Sequence, residues 1–485
     1  VTCLLIVLGP CFALIPVLLT MFNAGQLDQM MRAILSGDTD GARVTMPTLN
    51  KRIRVGRSAA LIRSPSDAPP DIVALTTQYS LNADTREQRL VALSGVEPKL
   101  LWQSEPLGED VYDVPLLAND DFVYLLAKTR LLALNRSDGS PAWEAQLPDV
   151  VSLHICRDCV RLVGDVIVTL SDDGRLLAFD ARTGEKRWDY VAVQDSPRGL
   201  YLFGDRVAFM DSDENNDGLL RRFDPASGAM TTLQPVCVAD GRTEYADWTT
   251  PLYPALDGEG FYIELGFFQR CVQRWDATSK TQLWSEKVPD NPTRESLPLL
   301  TEDAIYLGQR YQLLRLDAET GTSQVLLEDE DYTFVPLALV GDDVLVRGTN
   351  RRGSTTFEIM RVQPGGEIIW TFDLGTNPPL DPPDAAHPII DEDDPIWTWR
   401  LIEDDLVILR FKRASDDVSH AIELERVDLQ TGEGRDRQEI PLDISTNILS
   451  APEFTLWRQE MLWMSMEGQL LGLDAANGEI FYRWP

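Results

Sequence analysis

The sequence predicts an all-β protein, a β-propeller of four-stranded blades, and three observations carry that expectation. Short runs of alternating apolar and polar residues fill the chain from Asp71 onward, each bounded by turn residues. A turn motif, seen in full as RLLAFDARTGEKRWDY at Arg175 to Tyr190, returns with variations until the chain ends. Its spacing runs from 41 to 65 residues, mostly 41 to 52, with no helical periodicity between the strands. Such a period marks propeller blades or a solenoid, and four strands of about five residues plus turns fill it.

In chain order, Val1 to Phe22 carry no charged side chain. At about 1.5 Å per residue such a stretch reaches across a hydrocarbon core of about 30 Å. Pro10 and Pro16 are tolerated better in membrane helices than in soluble ones. The expectation is a transmembrane signal anchor at 1–22, with the rest of the chain on the periplasmic or extracellular side. A cleaved signal peptide is the alternative, although Phe22-Asn23-Ala24 is a poor small-x-small site. Residues 23–70 read as a stem or linker, polar apart from Leu27 to Leu35 and ending in SPSDAPP. Residues 71–485 are the propeller.

The turn aspartate or its substitute falls at Ser94, Asn135, Asp180, Asp224, Asp276, Asp317, Gln363, Asp428 and Asp474. Eight residues further on stand Trp102, Trp143, Trp188 and Trp284, with Tyr482 in the last unit; Trp370 follows Gln363 by seven. The units at Asp224, Asp317 and Asp428 have no aromatic there. Glycine recurs four residues past the turn residue, at Gly139, Gly184, Gly228, Gly321, Gly432 and Gly478. In physical terms the carboxylate caps a turn, the glycine supplies positive φ, and the large flat ring lies between adjacent sheets. Trp102, Trp143, Trp188, Trp284 and Trp370 are therefore structural docking residues.

The units FDARTGEKRW, LNRSDGSPAW, LDAETG and LDAANG resemble the tryptophan-docking repeat of the PQQ-dehydrogenase-like propellers. That superfamily includes quinoprotein alcohol dehydrogenases and the non-catalytic BamB-type assembly lipoproteins. The resemblance covers Asp71 to Pro485 and implies eight blades, against nine turn motifs counted. The first unit lacks a recognisable innermost strand, so eight blades are expected, closed by one blade shared between the termini; nine is the alternative. For a PQQ enzyme the resemblance implies a disulfide of adjacent cysteines, a metal-coordinating glutamate and a catalytic aspartate near the axis. The chain has no Cys-Cys pair.

Composition narrows the function. With 77 acidic against 44 basic residues the formal net charge is −33, which repels phosphate backbones and argues against nucleic-acid binding. No P-loop, dinucleotide glycine pattern or nucleophile elbow is present, and His154, His387 and His420 are the only histidines.

Four segments depart from the repeat. Asp213, Asn215, Asp217, Gly218 and Asp224 have the one-three-five-six-twelve spacing of a calcium loop. The repeat hairpin explains Gly218 and Asp224 equally well. Cys156 and Cys159 form a CxxC beside His154, read as a local disulfide or two free thiols. Cys237 and Cys271 flank a lengthened interval and are a candidate disulfide in an oxidising compartment. The insertion NPPLDPPDAAHPIIDEDDPIW at 377–397 is either a partner-docking loop or an ornament.

Taken together, the sequence predicts a membrane-anchored, extracytoplasmic propeller that binds protein partners and is not an enzyme. No organic cofactor is expected, and calcium is the one candidate ion. A quinoprotein-like dehydrogenase and an accessory subunit of a larger membrane complex are the alternatives.

Overall fold

The computed structural model describes residues 51–484 apart from connecting segments, the longest being 63–70, 149–158, 246–251, 289–297, 376–395, 414–419 and 443–452. Every regular element among the described residues is a β-strand. The expected anchor lies outside them, and no helix among them is long and apolar enough to cross a membrane.

The strands form antiparallel meanders, each pairing with the next in the chain. Successive four-stranded sheets occupy 51–103, 117–146, 160–191, 201–233 and 252–288. Two further units, within 299–375, are fused into one seven-stranded sheet; the last two sheets occupy 396–442 and 453–484. Fusion arises because the 18-residue strand Ser323–Val340 pairs through its first half with Arg310–Asp317 and through its second half with Asp343–Asn350. It is the outermost strand of the sixth unit and the first strand of the seventh. A two-stranded ribbon, Val236–Ala239 with Arg242–Tyr245, follows the fourth sheet.

The described residues thus form nine four-stranded units, the alternative to the expected eight. The difference lies in residues read as stem. Lys51–Ile62 pairs with Asp71–Ser80 from Lys51 opposite Ser80 to Ile62 opposite Asp71, and supplies the innermost strand of the first unit. Arg52-Ile53-Arg54-Val55 already has the period of a strand; its basic residues obscured this. Among the described residues no strand is shared between the first and ninth units. The first strand instead lies against the ninth sheet, near Glu453–Trp457 and Met461–Met466, and brings the first and last units together.

The core sits at the seams between sheets. One apolar cluster joins Val73 and Leu90 of the first unit to Val123 and Leu134 of the second. Another joins Leu345 and Ile359 of the seventh to Leu406 and Ile408 of the eighth. Both faces of a middle strand are therefore buried, as in Val166–Leu170, where all five residues are. A sheet of this kind cannot stand alone in water, and the seam contacts decide stability.

The turns at Asp180, Asp224, Asp317 and Asp428 share one hydrogen-bond scheme. The Asp180 carboxylate accepts from the amides of Arg182 and Thr183, each at 2.9 Å, and the Gly184 amide donates to the Asp180 carbonyl at 2.8 Å. Gly184 has φ +73°, and a Cβ there would lie 2.5 Å from the indole of Trp143. That indole donates to the Ala181 carbonyl at 3.1 Å, one residue past the turn aspartate. The same bond recurs from Trp102 to Arg136, Trp188 to Pro225, Trp284 to Ala318 and Trp370 to Leu429, between 2.7 and 3.0 Å.

A one-residue bulge in the outer strand aims each ring at the next sheet. Phe179 pairs with Lys186 but Ala178 with Trp188, so Arg187 is the extra residue; the same shift precedes Trp102, Trp143, Trp284, Trp370 and Tyr482. Trp370 falls at seven rather than eight because its turn is shorter: the Gly366 amide reaches the Gln363 carbonyl at three residues, not four.

Two glycine substitutions separate conformation from docking. Gly164 also has positive φ, +59°, but nothing lies within 4 Å of a Cβ built there. Gly164→Ala is expected to cost about 1 kcal/mol, the strain of a left-handed alanine. Gly184→Ala must in addition displace the Trp143 ring and should cost about 2–4 kcal/mol in all. Urea denaturation of the two variants checks the difference; equal losses would mean that the ring contributes nothing at that turn.

Candidate functional site

The sequence-predicted site residues separate into three groups. Trp102, Trp143, Trp188, Trp284 and Trp370 lie in seams between successive units, where turn, glycine and carbonyl engage them. The turn carboxylates are equally engaged. Asp180 pairs with Arg187 at 2.7 Å, and Asp224 and Asp428 pair with Arg206 and Arg435.

The candidate calcium loop is divided. Asp213 and Asp217 meet at the tip of the hairpin Arg206–Ser212/Gly218–Phe223, where the Asp217 amide donates to Asp213 Oδ1 at 2.9 Å. Asn215 lies outside the described residues. Asp224 sits at the opposite end of Gly218–Phe223, about 20 Å away along a strand rising about 3.4 Å per residue. Its Oδ1 caps its own turn and its Oδ2 faces Arg206. The twelve-residue spacing is real, but an extended hairpin does not wrap it around an ion.

Cys237 and Cys271 are joined by a disulfide with Cα atoms 5.8 Å apart. It ties the ribbon after the fourth sheet to the third strand of the fifth. Cys159 is buried and disulfide-bonded. Cys156, His154, His387 and the insertion from 377 to 395 lie outside the described residues, as does the His420 side chain. Trp399 packs as a partly buried ring in the seam between the seventh and eighth units.

Sequence reading missed the second donors at the docking carbonyls. Arg274 and Arg361 donate to the same oxygens as Trp284 and Trp370, at 2.9 and 2.6 Å, and the Tyr124 hydroxyl shares Ala181 with Trp143 at 3.0 Å. The signal was present: arginine stands two residues before the turn in five successive units, at Arg222, Arg274, Arg315, Arg361 and Arg426. Also missed was Asp211, fully buried between the third and fourth units. It accepts from the Tyr190 hydroxyl at 2.9 Å, the Val193 amide at 3.0 Å and Arg221 at 3.2 Å. Burial first, then this carboxylate, pushes the Tyr190 phenol up to about 12.

The surface left over is the outer edge of each unit except the sixth, where the fourth strand continues into the seventh; elsewhere the fourth strand pairs on one side only. Some edges are guarded by charge, as in the eighth unit, where Arg435, Asp436, Arg437 and Glu439 are exposed. Others carry exposed apolar pairs, Leu100 and Leu101 on the first and Ile368 and Ile369 on the seventh. An unguarded edge with apolar side chains can add a strand from another chain.

Nine four-stranded units, fastened at five of their seams by indole, turn glycine and carbonyl, define a propeller of PQQ-like repeats. Residues 54–208 and 99–325 match the family model described as outer membrane protein assembly factor BamB, together more than half of the chain, and the chain belongs to that family. It is 22% identical over 321 residues to quinohemoprotein alcohol dehydrogenase ADH IIB of Pseudomonas putida, a match covering 58% of this chain and 45% of that protein. The chain thus spans less than half the length of that relative. Among solved structures, BamB from Moraxella catarrhalis aligns with a TM-score of 0.38 at 13% identity, over 74% of this chain and 94% of that one. Quinohemoprotein alcohol dehydrogenase ADHIIG from Pseudomonas putida HK5 aligns at 0.40 and 12%, over 77% and 71%.

The turn chemistry makes a prediction in acid. The Arg187 guanidinium, then the amides of Thr183 and Arg182, hold Asp180 down to about 2. A carboxyl depressed on folding stabilises the fold fully above its unfolded value of about 3.9, and that contribution is lost as pH falls through the folded value. Asp180→Asn keeps a side-chain oxygen for the turn but loses the negative charge that faces Arg187. The stability gap between wild type and variant should be constant from pH 7 to about 5 and close between about pH 4 and 2. Urea midpoints across that range measure it, and a gap that widens in acid would reverse the sign.

Proposed function

We propose that this chain is a non-catalytic, protein-binding propeller that works outside the cytoplasm, held to a membrane by residues 1–22 and acting in the assembly or integrity of a membrane-protein complex. The observation that carries the reading is the match to the assembly-factor family from 54 to 325. Two further features support it. The repeat's chemistry-bearing residues are consumed in fastening one unit to the next, which leaves outer edges and loops as the working surface. The disulfides at Cys237–Cys271 and Cys159 suit an oxidising compartment.

Apolar edges give the partner a docking mode. A photo-crosslinking residue at Ile369 in cells of the source organism should yield a discrete adduct with one envelope protein. The same probe at Asp436, on the charged edge of the eighth unit, should not. Ile369→Lys should weaken recovery of that partner about tenfold or more while shifting stability by less than about 0.5 kcal/mol. A chain recovered alone from mild detergent, with no adduct at either position, would end the reading.

The dehydrogenase relative gives a second reading, an enzyme of the quinoprotein type. The cystine whose two halves are both described, Cys237–Cys271, joins residues 34 apart in sequence and lies in a seam. Incubation with PQQ and calcium decides between the readings. A bound chromophore with dye-linked alcohol oxidation would establish the enzyme, and neither is expected.

A further inference from the structure

Indole docking is absent between the fourth and fifth units, and three independent departures coincide there. The outer strand Met230–Leu233 lacks the bulge: Phe223 pairs with Met230, Arg222 with Thr231 and Arg221 with Thr232, without a shift. Thr231 therefore faces the residue that an indole faces elsewhere. The turn of the fifth unit has Lys280 where the docked turns have glycine, four residues past Asp276, and Lys280 has φ +60°. In the docked turns a Cβ at that place runs into the ring, at 2.5 Å for Gly184 and 2.6 Å for Gly321. A lysine in the left-handed conformation is tolerated only where no ring arrives, so the two ends of the missing dock have changed together.

What occupies this seam instead is the disulfide. Cys237 lies four residues beyond the end of the fourth sheet, and Cys271 is on the third strand of the fifth. Both are buried in the one apolar cluster that joins Phe203, Met210 and Leu233 of the fourth unit to Leu252, Phe261 and Trp275 of the fifth. Gln273 reinforces the link, donating to the Val236 carbonyl at 2.7 Å. We propose that the Cys237–Cys271 disulfide replaces the indole dock at this seam, so that closure of the propeller between its fourth and fifth units depends on redox state. Two electrons and two protons from a dithiol would convert the cystine to two thiols and the dithiol to its own disulfide. The seam would then keep its apolar contacts and the Gln273 bond but lose its covalent tie.

The test is hydrogen exchange on the full chain, comparing wild type with Cys237→Ala/Cys271→Ala. Amides of Tyr201–Phe203, of Leu252 and Tyr253 and of Gly260–Leu265 should exchange about tenfold or more faster in the variant, with less than about twofold change in Val166–Leu170. Should the variant not fold, wild type treated with a phosphine after folding gives the same comparison. Lys280→Gly in the oxidised protein should leave the seam unchanged. Unchanged exchange on loss of the disulfide, loosening spread evenly over all units, or a seam response to Lys280→Gly would each overturn the proposal.

Discussion

One contact recurs through this molecule and the rest of the structure depends on it: an indole N–H bonded to the carbonyl one residue past the turn of the neighbouring sheet. A four-stranded sheet with both faces of its middle strands apolar must cover two faces at once, and only neighbours of the same kind can do so. Burial is non-directional and would allow sheets to slide over one another. The indole removes that freedom, because its hydrogen bond and its flat contact with the turn glycine hold in one register only. A buried ring of this size removes about 150–250 Å² from water, worth up to about 4–6 kcal/mol, while its hydrogen bond adds about 1 kcal/mol. Most of the stability is burial; most of the specificity is the bond.

This division of labour explains why the docking carbonyls gather second donors. A carbonyl oxygen has two lone pairs, and at a dry seam the second would be costly to leave empty. Tyr124, Arg274 and Arg361 fill it at three of the five docks. It also explains the substitutes where no tryptophan stands. Between the sixth and seventh units the strand Ser323–Val340 is itself continuous across the seam. Between the eighth and ninth the side chain of Gln438 lies against Gly478. At the last unit Tyr482 occupies the ring position and is buried. Every one of these seams is closed, but by different chemistry.

The repeat was legible in the sequence because its physics is local. An aspartate that caps its own turn, a glycine with positive φ and a ring at fixed spacing need only short stretches of chain, so Asp180, Gly184 and Trp188 could be read together. Pairing between distant segments was not legible. The strand Lys51–Ile62 was hidden by its basic residues, and this alone turned an expected eight units into nine. The calcium spacing at Asp213 to Asp224 is a reading of the same kind: position in sequence fixes distance along the chain, whereas a hairpin keeps its ends apart. Asp211 gave no local sign, since its partners Tyr190 and Val193 belong to the preceding sheet and its connection.

A fold secured this way separates stability from function unusually cleanly. Because turn, glycine and ring are committed to the seams, exposed side chains of the outer strands can diverge from one unit to the next, even where, as at Leu101 and Ile369, they stand beside a docked ring. The first and seventh units show Leu100, Leu101, Ile368 and Ile369 to solvent, while the eighth shows a run of charges on the same strand of the same fold. If edges served only to avoid aggregation, charge would be expected on all of them. Apolar edges on some units and guarded edges on others mean that the units differ in whether another strand can be added to them.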